Sequence, residues 1–256
     1  MIITKQHIED LKKIMSIEEE MIRLLPQIED KLGLINPWVK QLPDIFRGLK
    51  LKPKQIVLDI PCGKGGASIP LAKNYGVKVL GYDIMEGYIK SATELAKKEG
   101  VGKLCTFRIE DIRKTTKRKD ICDVLLWIAP PHLWKTAKET IKALRNCVKN
   151  GGLILIADAY LYKPTKKYGG YETLDVSNNE YTSFGDKIIR FVDYKDSLWK
   201  EDYNRARKST EKTLRKTKKK ADKKIIKRYL KSLDKDEAAD TKYMGLGIWI
   251  VKINKP

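Results

Sequence analysis

The stretch VLDIPCGKGGASIPLA, residues 57–72, sets a carboxylate and a glycine-rich turn in a fixed order. Asp59 closes an apolar run, and Gly63, Gly65 and Gly66 follow it. Glycine adopts backbone angles closed to other residues and leaves no side chain between main chain and ligand. A second carboxylate, Asp83, ends the next apolar run, 20 residues after Gly63 (83 − 63 = 20). A carboxylate so placed accepts from two vicinal hydroxyls at once, as a ribose requires. The implied chemistry is the holding of a nucleotide-like cofactor, with bare backbone at the turn, one acid for the sugar and one for an amino group. A tight turn with no ligand, and an Asp83 that caps the next helix, are the plainer readings of the same residues.

Such residues need strands that end on them and helices that begin after them. Apolar runs predict strands at 55–60, 77–84, 103–111, 121–129 and 151–160. Helical spacing predicts helices at 66–74, 86–99 (ended by Gly100) and 132–149. Strict alternation implies an α/β fold, a parallel sheet wrapped by helices on both faces. Upstream, residues 5–32 read as a helix broken near Pro26, and Asn36-Pro37 opens a short helix toward Phe46. After Tyr160 the rhythm changes. Residues 163–187 read as polar and irregular, 188–194 as a strand, 198–233 as one or two long basic helices, and 244–253 as a last strong strand. The organisation expected is an N-terminal helical cover (1–50), a cofactor-binding core (51–160), a substrate-side helical insertion (161–243) and a last core strand (244–256).

Composition narrows the class. A chain of 256 residues with 42% hydrophobic content suits one decorated domain. No apolar run approaches the roughly 18 residues of a membrane span, and MIITKQHIEDLKK is too polar for a signal peptide. Cys62, Cys105, Cys122 and Cys147 are scattered without CxxC spacing, so no metal site is expected. They read as free thiols of a cytoplasmic protein. The net charge is +20, and residues 200–231 hold fifteen Lys and Arg against four acids, a local +11. That segment suits a polyanion partner, or a surface adapted to salt or heat.

The glycine turn leaves NAD(P) and S-adenosylmethionine as cofactors. The turn lacks the full GxGxxG, Asp59 precedes it, and "IEDIR" puts Asp111 after the third strand. With "KNGGLILIAD" behind them, these features resemble class I S-adenosylmethionine-dependent methyltransferases. "VLDIPCGKGG", "GYDIMEG", "IEDI" and "KNGGLILIAD" look like four of that family's motifs in order, over about residues 40–160. "GLGIWIVKI" resembles its antiparallel last strand, which implies a Rossmann-like seven-stranded sheet. The resemblance implies that Asp59 and the backbone of Cys62 and Gly63 face the methionine part of the cofactor, with Pro61 and Gly65 in the same binding turn. Asp83 would take the ribose. Ile84 and Met85 would cover one adenine face and Ile112 the other, with Asp111 at the adenine amino group. Trp127 and Ile128 would lie near the sulfonium. Pro61 stands where the family usually has glycine, which removes one N–H.

For the acceptor, "WIAPPHLW" (127–134) follows the fourth strand. Ala129 stands where amino-methylating nucleic-acid enzymes carry a carbonyl-bearing Asn, and alanine cannot accept a hydrogen bond. His132 instead resembles a histidine of small-molecule methyltransferases, and as a neutral imidazole it would take the acceptor's proton. Trp134 is a candidate substrate contact beside it. The nearest likeness is to the ubiquinone-methyltransferase-like branch, which implies that Trp199 and Tyr203 are lid residues facing the pocket. Packing of the helix onto the core is the alternative for both. The expected partner is a small-molecule acceptor. An RNA or other nucleic-acid substrate held by residues 200–231 is the alternative, and a non-enzymatic RNA-binding protein a remote one. "GKGG" is also similar to a stretch of messenger-RNA cap guanine methyltransferases, without the rest of their pattern.

Overall fold

The computed structural model describes residues 7–9, 11–12, 18–28, 40–130, 132–195 and 198–256. Seven strands form one sheet: β1 (Ile56–Asp59), β2 (Lys78–Asp83), β3 (Cys105–Ile109), β4 (Cys122–Ile128), β5 (Val148–Leu161), β6 (Lys187–Lys195) and β7 (Met244–Lys252). Their order is β3-β2-β1-β4-β5-β7-β6. The five strands β3 to β5 run parallel, and β7 is antiparallel to both β5 and β6.

Side chains alternate across a strand, so a sheet covered on both faces needs apolar residues at odd and even positions alike. β4 meets that demand. Val124, Leu126 and Ile128 join one core, while Leu125 and Trp127 join the other. The first core is closed by α2 (Leu42–Gly48), α3 (Ser68–Tyr75), α4 (Glu86–Lys98) and α8 (Trp199–Lys216). The second is closed by α5 (Ile112–Thr115), α6 (Ala137–Cys147) and α7 (Leu174–Tyr181). A third cluster joins α1 (Glu19–Ile28), α9 (Lys220–Tyr243) and the start of α4 through Leu24, Leu25, Tyr88 and Ile226.

Several expectations need correction. Pro26 lies inside α1 rather than at a break. The Asn36-Pro37 cap falls outside the described residues; α2 begins at Leu42, with a proline in its first turn. The helix expected over 132–149 is shorter, because Thr136 caps α6 by accepting from the Glu139 N–H at 3.1 Å. His132 therefore stands in a loop. The supposedly irregular stretch 163–187 contains α7, a polar helix that buries only Ser177 and Tyr181. The basic segment is two helices, broken at residues 217–219, and the second runs ten residues beyond the expected end. Gly100, at φ 76°, follows α4 as expected.

Candidate functional site

β1 lies between β2 and β4, where the strand order reverses, and Asp59 is level with Gly81 on one side and Leu126 on the other. A crevice at the carboxyl ends of strands is the usual ligand position in such a sheet. Asp59, Asp83 and the glycine turn occupy that edge. Asp83 Oδ2 accepts from the Gly63 N–H at 3.0 Å, and Oδ1 accepts from the Met85 N–H at 2.9 Å. The acid thus ties the end of β2 to the turn after β1. Gly63 and Gly65 take φ of 48° and 75°. A Cβ on Gly65 would stand 2.7 Å from Ile69 Cδ1, while the space at Gly63 is open. The Ile60–Pro61 bond entering the turn is cis.

Both acids are nearly sealed from water, at 3% exposure for Asp59 and 4% for Asp83. Burial pushes the Asp59 carboxyl up to about 7, opposed by the Ser68 hydroxyl and reinforced by the charge on Asp83. Burial pushes Asp83 up to about 6, against the pull of the Met85, Gly63 and Ile84 amides. Asp59 Oδ2 and Ser68 Oγ are buried without a hydrogen-bond partner among the described residues. The hydroxyl therefore acts on Asp59 short of hydrogen-bonding geometry. Burial, with Asp83 and Asp59 nearby, raises the Cys62 thiol well above its ordinary value, which leaves no nucleophilic thiolate there.

The other cofactor candidates ring this centre unevenly. Met85 is buried and Ile84 half-buried, both packed into the cluster of α1. Lys64, inside the glycine turn, donates to the Pro26 carbonyl of α1 at 2.8 Å. Ile112 is buried at the start of α5. Asp111 caps α5 and accepts from Arg113 N and Nε at 2.9 and 3.0 Å, with His7 Nε2 at 3.3 Å. Burial works against it, yet Arg113 and His7 hold this carboxyl below the usual range. Asp111 is thus engaged by the Arg113 guanidinium and the His7 imidazole, unlike Asp59. Trp127 and Ile128 end β4 and face opposite sides of the sheet.

His132 lies near a second constellation. Its ring centroid is 4.0 Å from that of Tyr171, its Nε2 is buried without a partner among the described residues, and a Cβ on Gly170 would stand 3.0 Å from its ring. It lines a small cavity with Trp127, Asp158, Tyr171, Glu172 and Tyr181. Asp158 is pushed up to about 6 by burial, with His132 pulling the other way. Glu172 is pushed up to about 7 by burial and by Glu180. Trp134 is half-buried, its ring 5.6 Å from that of Trp127. Trp199 and Tyr203 are elsewhere. Trp199 Nε1 donates to the Met244 carbonyl at 3.1 Å, and Tyr203 Oη donates to Asp240 Oδ2 at 2.6 Å. Both are buried between α8 and the sheet, and neither lines this cavity.

Sequence reasoning missed Asp158, Tyr171 and Glu172. Asp158 gave the same signal as Asp59 and Asp83, an acid near the end of a buried strand. Tyr171 and Glu172 lie in a polar stretch without periodicity and gave none. Among the described residues, no three His, Cys, Asp or Glu side chains are grouped to hold a metal.

Comparison with known proteins agrees with this layout. A family model described as "Methyltransferase domain" matches residues 51–231, which hold the glycine turn, both buried acids and His132. A 2-methyl-6-phytyl-1,4-hydroquinone methyltransferase of Synechocystis sp. is 37% identical over 109 residues, 42% of this chain and 33% of that protein. A phosphoethanolamine N-methyltransferase of Triticum aestivum is 30% identical over 127 residues, 48% of this chain and 24% of that protein. The matches thus span a third or less of these relatives' own length. Among solved structures, a SAM-dependent methyltransferase from Geobacter sulfurreducens, in complex with S-adenosyl-L-homocysteine, superposes with a TM-score of 0.76 at 19% identity. The superposition covers 91% of this chain and 98% of that one. That likeness shows the shared fold, down to the antiparallel last strand, and the family match covers most of the chain from β1 into α9: the chain belongs to the methyltransferase domain family.

Proposed function

We propose that this protein transfers a methyl group from S-adenosylmethionine to a small-molecule acceptor by direct displacement, as a cytoplasmic enzyme. One observation carries the reading: two buried carboxylates, Asp59 and Asp83, flank an open glycine turn, and one oxygen of Asp59 has no partner among the described residues. A buried, unpartnered acceptor is costly, and a cationic ligand supplies what it lacks. The residues fit the cofactor on that ground. Asp59 would hold its ammonium end, and Asp83, each oxygen of which accepts one amide here, retains lone pairs for the ribose hydroxyls. Ile84, Met85 and Ile112 would enclose the adenine.

When bound, the cofactor supplies an electrophilic methyl on sulfur. The protein supplies alignment, worth roughly 7–11 kcal/mol of barrier in well-oriented reactions, and shielding from water. α1 and α9 close over the Met85 side, and Trp127 near the end of the fourth strand and His132 beyond it stand where the acceptor would approach. His132 would receive the acceptor's proton. The relatives' names support small acceptors, a hydroquinone in one case and phosphoethanolamine in the other. Calorimetry tests the reading. S-adenosylmethionine and S-adenosylhomocysteine are expected to bind and NAD not to. Absence of binding, or unchanged binding by Asp83→Ala, would overturn it.

A further inference from the structure

We infer that the cavity at His132 is built for the amine head of the acceptor. This rests on the methyl-transfer reading and narrows its substrate class.

The cavity opens at the same edge of the sheet as the cofactor residues. Trp127 stands one residue past the level of Asp59, and Asp158 one residue past Ala157, the partner of Ile128. Its free volume is about 20 Å³, room for about one water-sized group. An ammonium or methylammonium head matches that size.

The lining chemistry selects among small groups. Asp158 is 91% buried (9% exposed) and accepts from the adjacent Ala159 N–H at 2.8 Å. His132 Nε2 lacks a partner among the described residues, and in the tautomer that leaves it unprotonated it is another acceptor. Two acceptors facing one small space ask for a ligand with several N–H donors. Glu172 adds a second carboxyl group, and among the described residues no Lys or Arg lines the space. A phosphate, carboxylate or phenolate would meet acids without a counter-charge, at a cost of desolvation and repulsion. The walls add Trp127, Tyr171 and Tyr181, whose ring faces attract cations. Acids, aromatic faces and small volume agree on one ligand class, a primary or secondary amine.

The probe is ethylammonium, titrated by calorimetry into protein saturated with S-adenosylhomocysteine, with ethanol as the uncharged isostere. Ethylammonium is expected to bind and ethanol not to. Asp158→Asn, which keeps the shape and removes the charge, is expected to weaken ethylammonium binding about tenfold or more while S-adenosylhomocysteine binding is retained. Retained cofactor binding also shows that the variant folds; if Asp158→Asn fails to fold, His132→Gln replaces it, with the same expectation. Ethanol binding as well as ethylammonium, or a variant that binds the amine as the parent does, would overturn the inference. Failure of S-adenosylhomocysteine to bind the parent protein would overturn the functional reading and this inference together. Normal cofactor binding with no ethylammonium binding would overturn this inference alone.

Discussion

The two ends of the candidate site treat buried charge differently. At the cofactor end, Asp83 is held by backbone amides of the turn it organises, so its position follows from the chain around it. At the acceptor end, Asp158 accepts its neighbour's N–H, and the wall opposite comes from Gly170, Tyr171 and Glu172, in the loop between β5 and α7. The first arrangement joins the ends of two strands, 20 residues apart in sequence, through a hydrogen bond from a main-chain N–H. The second is assembled from a strand and the loop that follows it. A cofactor pocket shared by a family and an acceptor pocket private to each member would have this physical form.

The largest effect expected of any single change lies at the acceptor end. If His132 takes the acceptor's proton, His132→Ala lowers turnover by about 10²–10⁴-fold and leaves S-adenosylmethionine affinity unchanged. Labelled-methyl transfer alongside calorimetry separates the two. Near-normal turnover would leave the histidine as a packing partner of Tyr171 and weaken the contrast between the ends.

At the cofactor end, Asp83→Ala removes two amide contacts and the proposed ribose acceptor together. Affinity for S-adenosylmethionine is expected to fall by roughly 1–3 kcal/mol, the usual scale for losing charge-assisted hydrogen bonds. If the turn alone held the cofactor, affinity would stay within experimental error.

A pH experiment sharpens the same comparison. Asp59 and Asp83 have folded-state values of about 7 and about 6, above the ordinary 3.8. The native state then keeps protons that the unfolded chain has lost. Stability without cofactor therefore falls as pH rises from about 4 through about 7. Asp59→Asn removes the largest of these two contributions. It is expected to raise stability at pH 8 by on the order of 1–3 kcal/mol, while weakening cofactor binding. A cationic ligand favours the ionised acid, so cofactor affinity rises with pH over the same window in the parent and rises less in the variant. Asp158, Glu172 and Asp240 are also raised by burial, so the informative quantity is the difference between parent and variant denaturation curves. Equal slopes would remove Asp59 from the linkage.

What was legible in the sequence follows from these physical differences. The strands ending in Asp59 and Asp83, and the one carrying Asp158, announce themselves because a sheet buried on both faces needs continuous apolar runs. Glycines at φ 48° and 75° announce the turn because other residues avoid such angles. α7 was hidden because it buries only Ser177 and Tyr181, too little for an apolar stripe. The end of α6 nearest His132 was misread because the helical period of Leu133 and Ala137 runs through a cap set by Thr136. The positions of Trp199 and Tyr203 were open from sequence, since a lid and a packing face share one spacing. The structure supplies partners for their polar atoms inside the protein, at Met244 and Asp240.

The smallest effect is expected from the most charged segment. Lys218, Lys219 and Lys220 are exposed at the break between α8 and α9. An RNA-binding reading needs cations free to neutralise phosphates and aromatics free to stack on bases. The arginines of this segment are committed within the protein: Arg205 to Asp202, Arg207 to Asp234 and Glu237, Arg215 to Glu211, and Arg228 to Glu18. Its two tyrosines are committed as well, Tyr203 in the core and Tyr229 packed against it. What remains is lysine on a solvated face, where substitutions shift stability by about 0.5 kcal/mol or less. Replacing all three lysines with Gln is therefore expected to leave both small-molecule methylation and thermal stability nearly unchanged. Filter binding to RNA at two salt concentrations is the decisive companion measurement. Tight binding that falls steeply with salt and is lost in the triple variant would make this hairpin a nucleic-acid surface, and the acceptor would then have to be sought on RNA rather than in the cavity at His132.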